Sequence, residues 1–352
     1  MMTTLDFGTH SEYSTRFSSS PVFECALSIA AFTREDIHDK LEPNLDHFRA
    51  IRTRMSDELK QEIRVSGEVH SWRNLLFLAH RCPHLSDSPW KDHMKLFLGW
   101  MSDNEPSLKE LAAPYLGDAR SSELHDALSG NETSQQNLIR SHHDNPVVHL
   151  NLRYLFSIDS HTFLTHLRTL LERWYNEVFI VDMESTMTAL QRDLEYRKQL
   201  SVSMQPSHLV RSVTKGSELR PVPGTDTLWF IPQFAYRPFT IINYLPHCVV
   251  YYYPVADEFV SGGTDHTQMT QVAALHKALG DVSRLRLLML IRHHPKSLAE
   301  LTDILGATKS NIHHHLTLLR TAGVVRVNDG VYAIDQDAIL KVGDELRGLL
   351  KP

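Results

Sequence analysis

Residues 297–325 read SLAELTDILGATKSNIHHHLTLLRTAGVV. Ser297-Leu298-Ala299-Glu300 has the capping-box form, in which the serine hydroxyl and the glutamate carboxylate satisfy each other's orphan backbone amides. A short helix follows with Leu298, Leu301, Ile304 and Leu305 inward, and Gly306 stands where a left-handed C-terminal residue is needed. Thr308 caps a second helix, in which Ile312, His315, Leu316 and Leu319 recur at i, i+3, i+4 and i+7. A capped short helix, a tight glycine turn and an amphipathic second helix make a helix-turn-helix, whose second helix enters the major groove of DNA.

The outward face of that second helix is therefore the informative one. At roughly 100° per residue, Ser310, His313, His314 and Thr317 cluster opposite Ile312, and none is acidic. Lys309 and Arg320 flank the strip and suit phosphates. Residues 324–327 and 331–334 are β-prone runs joined by Asn328-Asp329-Gly330, a hairpin signal that reads as a wing carrying Arg326. The expected DNA-contacting set is Thr308, Lys309, Ser310, Asn311, His313, His314, Thr317, Arg320 and Arg326. Upstream, Val272, Leu275 and Leu279 form a stripe broken by Gly280-Asp281. Ser283 is expected to cap the next helix, with Leu285, Leu287, Leu288 and Ile291 inside.

The linked segments 279–288, 297–306, 308–316 and 320–325 resemble the ArsR-type winged helix-turn-helix regulators, and the resemblance covers about a quarter of the chain. It implies a cytoplasmic, homodimeric bacterial regulator that binds a palindromic operator and is released by an effector, with residues 337–350 as the helix that pairs subunits. The upstream half, through the β-rich run 231–254, is similar to the helical region fused to some ArsR-like bacterial regulators. Metal-sensing members place a C-x-C pair before the recognition helix, or Asp and His ligands in the closing helix. Here the first position reads Leu298-Ala299-Glu300-Leu301-Thr302-Asp303 and the second has no His or Cys. The resemblance therefore implies no metal at those sites. Adjacent His313, His314 and His315 point about 100° apart on a helix and do not converge on one ion. No cofactor and no metal is expected.

The remainder of the 352 residues has a different composition. Net charge is -6, from 36 Lys/Arg against 42 Asp/Glu. Residues 265–352 hold 11 basic against 9 acidic side chains, and residues 1–264 hold 25 against 33. Between 271 and 327, 8 basic residues face only Asp281, Glu300 and Asp303. All Trp and Phe, and every Tyr except Tyr332, lie before residue 265. Two modules built for different work account for this asymmetry.

The expected fold is mainly α with minor β. Its parts are a disordered tail over 1–20, a mostly helical regulatory and dimerisation region over 21–260 that ends in short strands, a linker over 261–266, and the winged helix-turn-helix over 267–352. Ser20-Pro21 reads as a helix start, 72–80 as a helix, 159–194 as one long helix or two, and 119–145 as loop. The uncharged stretch 238–256 contains Pro246 and Pro254 and reads as buried strands, so no membrane partner is expected. Cys25, Cys82 and Cys248 form no disulfide or metal pattern, which suits a reducing cytoplasm.

No G-x-G-x-x-G, P-loop, G-x-S-x-G or H-E-x-x-H run occurs, so the chain reads as no enzyme. The expected function is a sequence-specific transcriptional regulator, a homodimeric repressor on double-stranded DNA controlled by a small-molecule or protein effector. The alternative is a ligand-processing or protein-interaction domain that carries a DNA-binding tail. Trp72, Trp90, Trp100, Trp174, Trp229 and Tyr251 to Tyr253 are candidates for an apolar pocket, with core packing the role expected of most.

Overall fold

The computed structural model describes residues 13–43, 45–85, 88–202, 204–214, 216, 218–219, 222–260, 272, 275–328, 330–335 and 339. The expected linker at 261–266, residues 1–12 of the tail and, Ile339 aside, the closing helix lie outside the described residues. The chain is mainly α with short strands, and it divides into two compact units. Unit 1 comprises Met1–Leu194, Gly224–Arg237 and Ile241–Pro254; unit 2 comprises Glu195–Pro223, Pro238–Thr240 and Val255–Pro352.

In unit 1, β1 (Ser14–Phe17) precedes α1 (Pro21–Thr33). Ser20 caps α1 by accepting from the Val22 amide, and Pro21 occupies the first turn, where its missing N–H costs nothing. Val22, Cys25, Ala26, Leu27, Ile29 and Ala30 are all fully buried, so α1 is apolar on nearly every side and forms the centre of the core. After it come α2 (Leu45–Arg54), α3 (Asp57–Val69), α4 (Trp72–Arg81), α5 (His93–Asp103) and α6 (Leu108–Ala112), of which α3, α4 and α5 pack on α1. Then come α7 (Ser121–Leu128), α8 (Glu132–Ser141), α9 (Pro146–Ser157) and α10 (Ser160–Glu177). The expected helix at 72–80 is α4. The stretch 159–194 is two helices, α10 and α11 (Met183–Ser201), and the boundary between the units falls within α11.

Two expectations are corrected. Residues 119–145 hold α7 and α8 rather than loop. Their polar residues are caps and exposed faces: Asn131 accepts from the Ser134 amide at 3.0 Å, while Ala127 and Leu138 pack with Val148 and Leu152. Residues 14–17 of the expected tail form β1, which pairs in parallel with Thr227–Phe230. Buried Ser18 accepts from Trp229 Nε1 at 2.6 Å.

The strands β2 (Thr227–Gln233), β3 (Ile241–Leu245) and β4 (Cys248–Pro254) complete a sheet of order β1-β2-β4-β3, with β3 antiparallel to β4. Trp72, Trp174, Trp229 and Tyr251 to Tyr253 are buried, whereas Trp90 and Trp100 are half-buried. The buried polar groups are paired across helices. Asn74 and Asn151 exchange amide hydrogen bonds at 3.0 and 2.8 Å, and they also donate to Ala112 O and Val69 O. His166 bridges Ser71 Oγ, at 2.7 Å, and Glu62.

Unit 2 takes in residues 195–223, which the sequence reading assigned to the upstream region. This segment contains the end of α11 and α12 (Pro206–Val213). Unit 2 holds 16 Lys/Arg against 13 Asp/Glu, and unit 1 holds 20 against 29, so the charge asymmetry follows the compact division. After α13 (Asp257–Val260), unit 2 continues with α14 (Val282–Ile291), β5 (Lys296–Ser297), α15 (Leu298–Leu305), α16 (Lys309–Thr321), β6 (Val325–Asn328) and β7 (Val331–Ile334). Among the described residues no helix is long and apolar enough to cross a membrane.

Candidate nucleic-acid interface

The interface is assembled from α14, α15, α16 and the wing. Asp281, not the expected Ser283, caps α14 by accepting from the Arg284 amide at 2.9 Å. That bond is the main reason the Asp281 carboxyl sits below its ordinary pKa. The Arg284 guanidinium turns back to the carbonyls of Ala278 and Lys277, at 2.6 and 2.7 Å, and so closes the preceding helical turn.

Ser297 ends β5 and caps α15. Its amide donates to Glu300 at 2.7 Å and its hydroxyl accepts from the Glu300 amide, which completes the capping box. The backbone bond from Ser297 holds the exposed Glu300 carboxyl below its ordinary pKa. Gly306 ends α15 at φ +60, a left-handed value that glycine adopts without strain. Thr308 caps α16 through the Asn311 amide at 3.3 Å. The helix-turn-helix is thus fixed by local chemistry at each of its ends.

One apolar cluster holds these helices together: Leu275, Leu287, Leu288, Ile291, Leu301, Ile312, Leu316, Leu319, Val324 and Val325. Leu285 departs from expectation. It is 45% exposed and forms an outward stripe on α14 with Val282 and Met289. His315 is half-buried beside Asp281, with Nδ1 4.0 Å from Oδ1.

The nine expected DNA-contacting residues separate into three groups. Thr308, Lys309, Ser310, Asn311 and His313 are exposed around the N-terminal half of α16, and His314 is half-buried beside them. Thr317 is the clear departure. It is 7% exposed, and its hydroxyl donates to the His313 carbonyl at 2.8 Å. A threonine one turn along a helix can satisfy its own hydroxyl in this way and turn into the packed side. Arg320 and Arg326 lie apart from the exposed cluster. Arg320 is half-buried near Tyr332, and burial lowers its pKa. Arg326 sits on β6 opposite Ala333, with Nε buried and without a hydrogen-bond partner among the described residues.

The wing is a three-stranded sheet of order β5-β7-β6, with all neighbours antiparallel. The sequence reading found its hairpin and missed the short β5. It also missed that the Val327 amide, on the outer edge of β6, donates to Gly216 O at 3.3 Å and that Asp335, just after β7, pairs with Arg211 at 3.5 Å. Sequence order carries no signal for a contact more than a hundred residues away. The basic run Arg197, Lys198, Arg211, Lys215 and Arg220 does distinguish 195–223 from the acidic upstream half. Among the described residues no three His, Cys, Asp or Glu side chains are grouped to hold a metal ion.

Residues 281–327 match the family model of bacterial regulatory proteins of the arsR family. Neither the curated proteins nor the solved structures include a significant match to the chain. The matched residues span α14 to β6 and include both caps, the Gly306 turn and the whole of α16. In its C-terminal region, therefore, the chain carries an ArsR-type helix-turn-helix, the DNA-binding element of a transcription regulator.

Proposed function

We propose that the protein is a sequence-specific transcriptional regulator that acts as a homodimeric repressor, and that a signal received by unit 1 controls it. The observation that carries this reading is the exposed, acid-free face formed by Thr308, Lys309, Ser310, Asn311 and His313 at the start of α16. The N-terminal residues of a recognition helix are those that meet base edges. In this reading Ser310, Asn311, His313 and His314 read bases, and Lys309 meets a phosphate. Arg326 reaches the backbone from the wing. The exposed apolar stripe Val282, Leu285 and Met289 supports self-association, since such a stripe on a soluble domain marks an interaction surface. Two copies would read half-sites about 10 bp apart. The chain has no catalytic role in this proposal.

The test is retention of genomic fragments by the purified full chain at roughly 150 mM salt, where non-specific binding is suppressed. Recovery of a few sites that share an inverted repeat supports the proposal. Uniform recovery, or none, counts against it.

A further inference from the structure

Within unit 2, the segment that follows α12 is attached to the wing at two points. Past the end of α12 the Gly216 amide donates to the Arg211 carbonyl at 2.9 Å, and the Gly216 carbonyl takes the Val327 amide on the edge of β6. Arg211, on α12, makes the second attachment through its ion pair with Asp335. Asp335 is in turn tied to the start of β6, because its own amide donates to the Val324 carbonyl at 3.0 Å. One attachment therefore lies towards the tip of the β6–β7 hairpin and the other at its base. A single attachment would leave the hairpin free to pivot, whereas two fix its tilt.

Between the two attachments lies Arg326. A Cβ built at Gly216 would sit 3.2 Å from Arg326 Cα, so the two backbones are in direct contact. Arg326 is half-buried, and its Nε has no hydrogen-bond partner among the described residues. The wing is small: β6 and β7 have four residues each, and β5 adds only two. Short strands of this kind hold their shape poorly without further support. The segment from Arg211 to Gly216 supplies that support beside the one arginine of the wing.

We propose that Arg211 and Gly216 are positioning residues for DNA: they hold the wing so that Arg326 meets the phosphate backbone while α16 occupies the major groove. This rests on the reading of Arg326 as a wing contact given above. Ordering the hairpin before DNA arrives removes part of the entropy cost of making a contact from it. Arg211 acts through Asp335 and does not itself touch DNA, since its guanidinium is already engaged in the ion pair.

The test is fluorescence anisotropy of the full chain with a labelled mixed-sequence duplex of about 30 bp, between about 50 and 200 mM salt, where phosphate contacts govern affinity. Arg326→Ala should weaken binding about fivefold and lower the salt slope by about 1. Arg211→Ala and Asp335→Asn should each weaken it about threefold, as the wing loses its order. These two substitutions change net charge in opposite directions, so an effect of charge alone would make Asp335→Asn bind more tightly. Arg211→Lys, which keeps the ion pair, should restore most of the affinity. In an Arg326→Ala background both losses should shrink to less than about 1.5-fold, and in a Lys309→Ala background they should persist. The proposal is overturned if Asp335→Asn binds as tightly as the wild type or more tightly, or if the losses persist in the Arg326→Ala background. A variant that had lost its fold would weaken binding in every background and so gives the second of these results. A wild type that binds no duplex overturns the DNA-binding reading along with the positioning role, whereas a wild type that binds while both variants match it overturns the positioning role alone.

Discussion

The carbonyl of Gly216 accepts the Val327 amide at 3.3 Å, which seals the outer edge of the wing strand β6 with a residue that precedes it by 111 positions. Gly216 has φ +102, and a Cβ built there would lie 3.2 Å from Arg326 Cα and 3.3 Å from Arg326 Cβ. Gly216→Ala therefore meets both backbone strain and a close contact with the strand itself. We expect a loss of about 1 to 3 kcal/mol in stability. Gly117→Ala, at φ +90 with nothing within 4 Å, should bear the backbone cost alone. Thermal unfolding of the two variants side by side checks this, and an equal loss in both would disprove the contact at β6.

The burial pattern of α16 separates residues that the sequence placed on one face. His313→Ala should reduce operator affinity by roughly tenfold, corresponding to about 1.4 kcal/mol, because His313 is exposed. Thr317→Val should leave affinity within about twofold, since its hydroxyl is already used inside the helix. Lys309→Ala should lower affinity for all sequences and reduce the salt slope by about 1. Arg320→Ala should leave that slope nearly unchanged and instead cost about 1 kcal/mol of stability through lost packing. Salt-dependent binding curves for the four variants decide the matter. A Thr317→Val variant that lost selectivity would return that residue to the reading face.

Glu24 gives stability a pH dependence of defined sign. Its ordinary pKa of 4.5 rises to about 7 in the folded state, chiefly through burial, while the amides of Phe234 and Ala235 oppose the rise. Between those two values the folded protein holds a proton that the unfolded chain releases, so stability falls as pH rises through that window. The full difference amounts to about 3 kcal/mol at ~1.4 kcal/mol per unit. Glu24→Gln removes the charge and keeps an acceptor for Ala235. Relative to wild type it should gain stability between pH 5 and 8, with the gain levelling off above about 7. Urea titrations at several pH values check this, and a pH-independent difference would refute it.

Asn74 and Asn151 are both buried and bond reciprocally across α4 and α9. Asn151→Ala leaves Asn74 Oδ1 and the Val69 carbonyl without this donor. We expect a loss of about 1 to 3 kcal/mol, the cost of unsatisfied buried polar groups. Asn151→Ala with Asn74→Ala should cost less than the two single losses added together, which a double-mutant cycle measures.

The sequence by itself determined the helix-turn-helix. The Ser297–Glu300 capping box, the Gly306 turn, the Thr308 cap and the Ile312, Leu316 and Leu319 stripe are all written within a few residues of where they act. Local hydrogen bonding and a 3.6-residue period suffice to specify such an element. The tertiary structure decided the rest. It turned Thr317 inward, exposed Leu285, paired residues 14–17 with a strand more than two hundred positions later and placed Gly216 on the edge of β6. Each of these outcomes depends on which distant segment offers a complementary surface or an unpaired backbone group, and nothing within a local window of sequence encodes that choice.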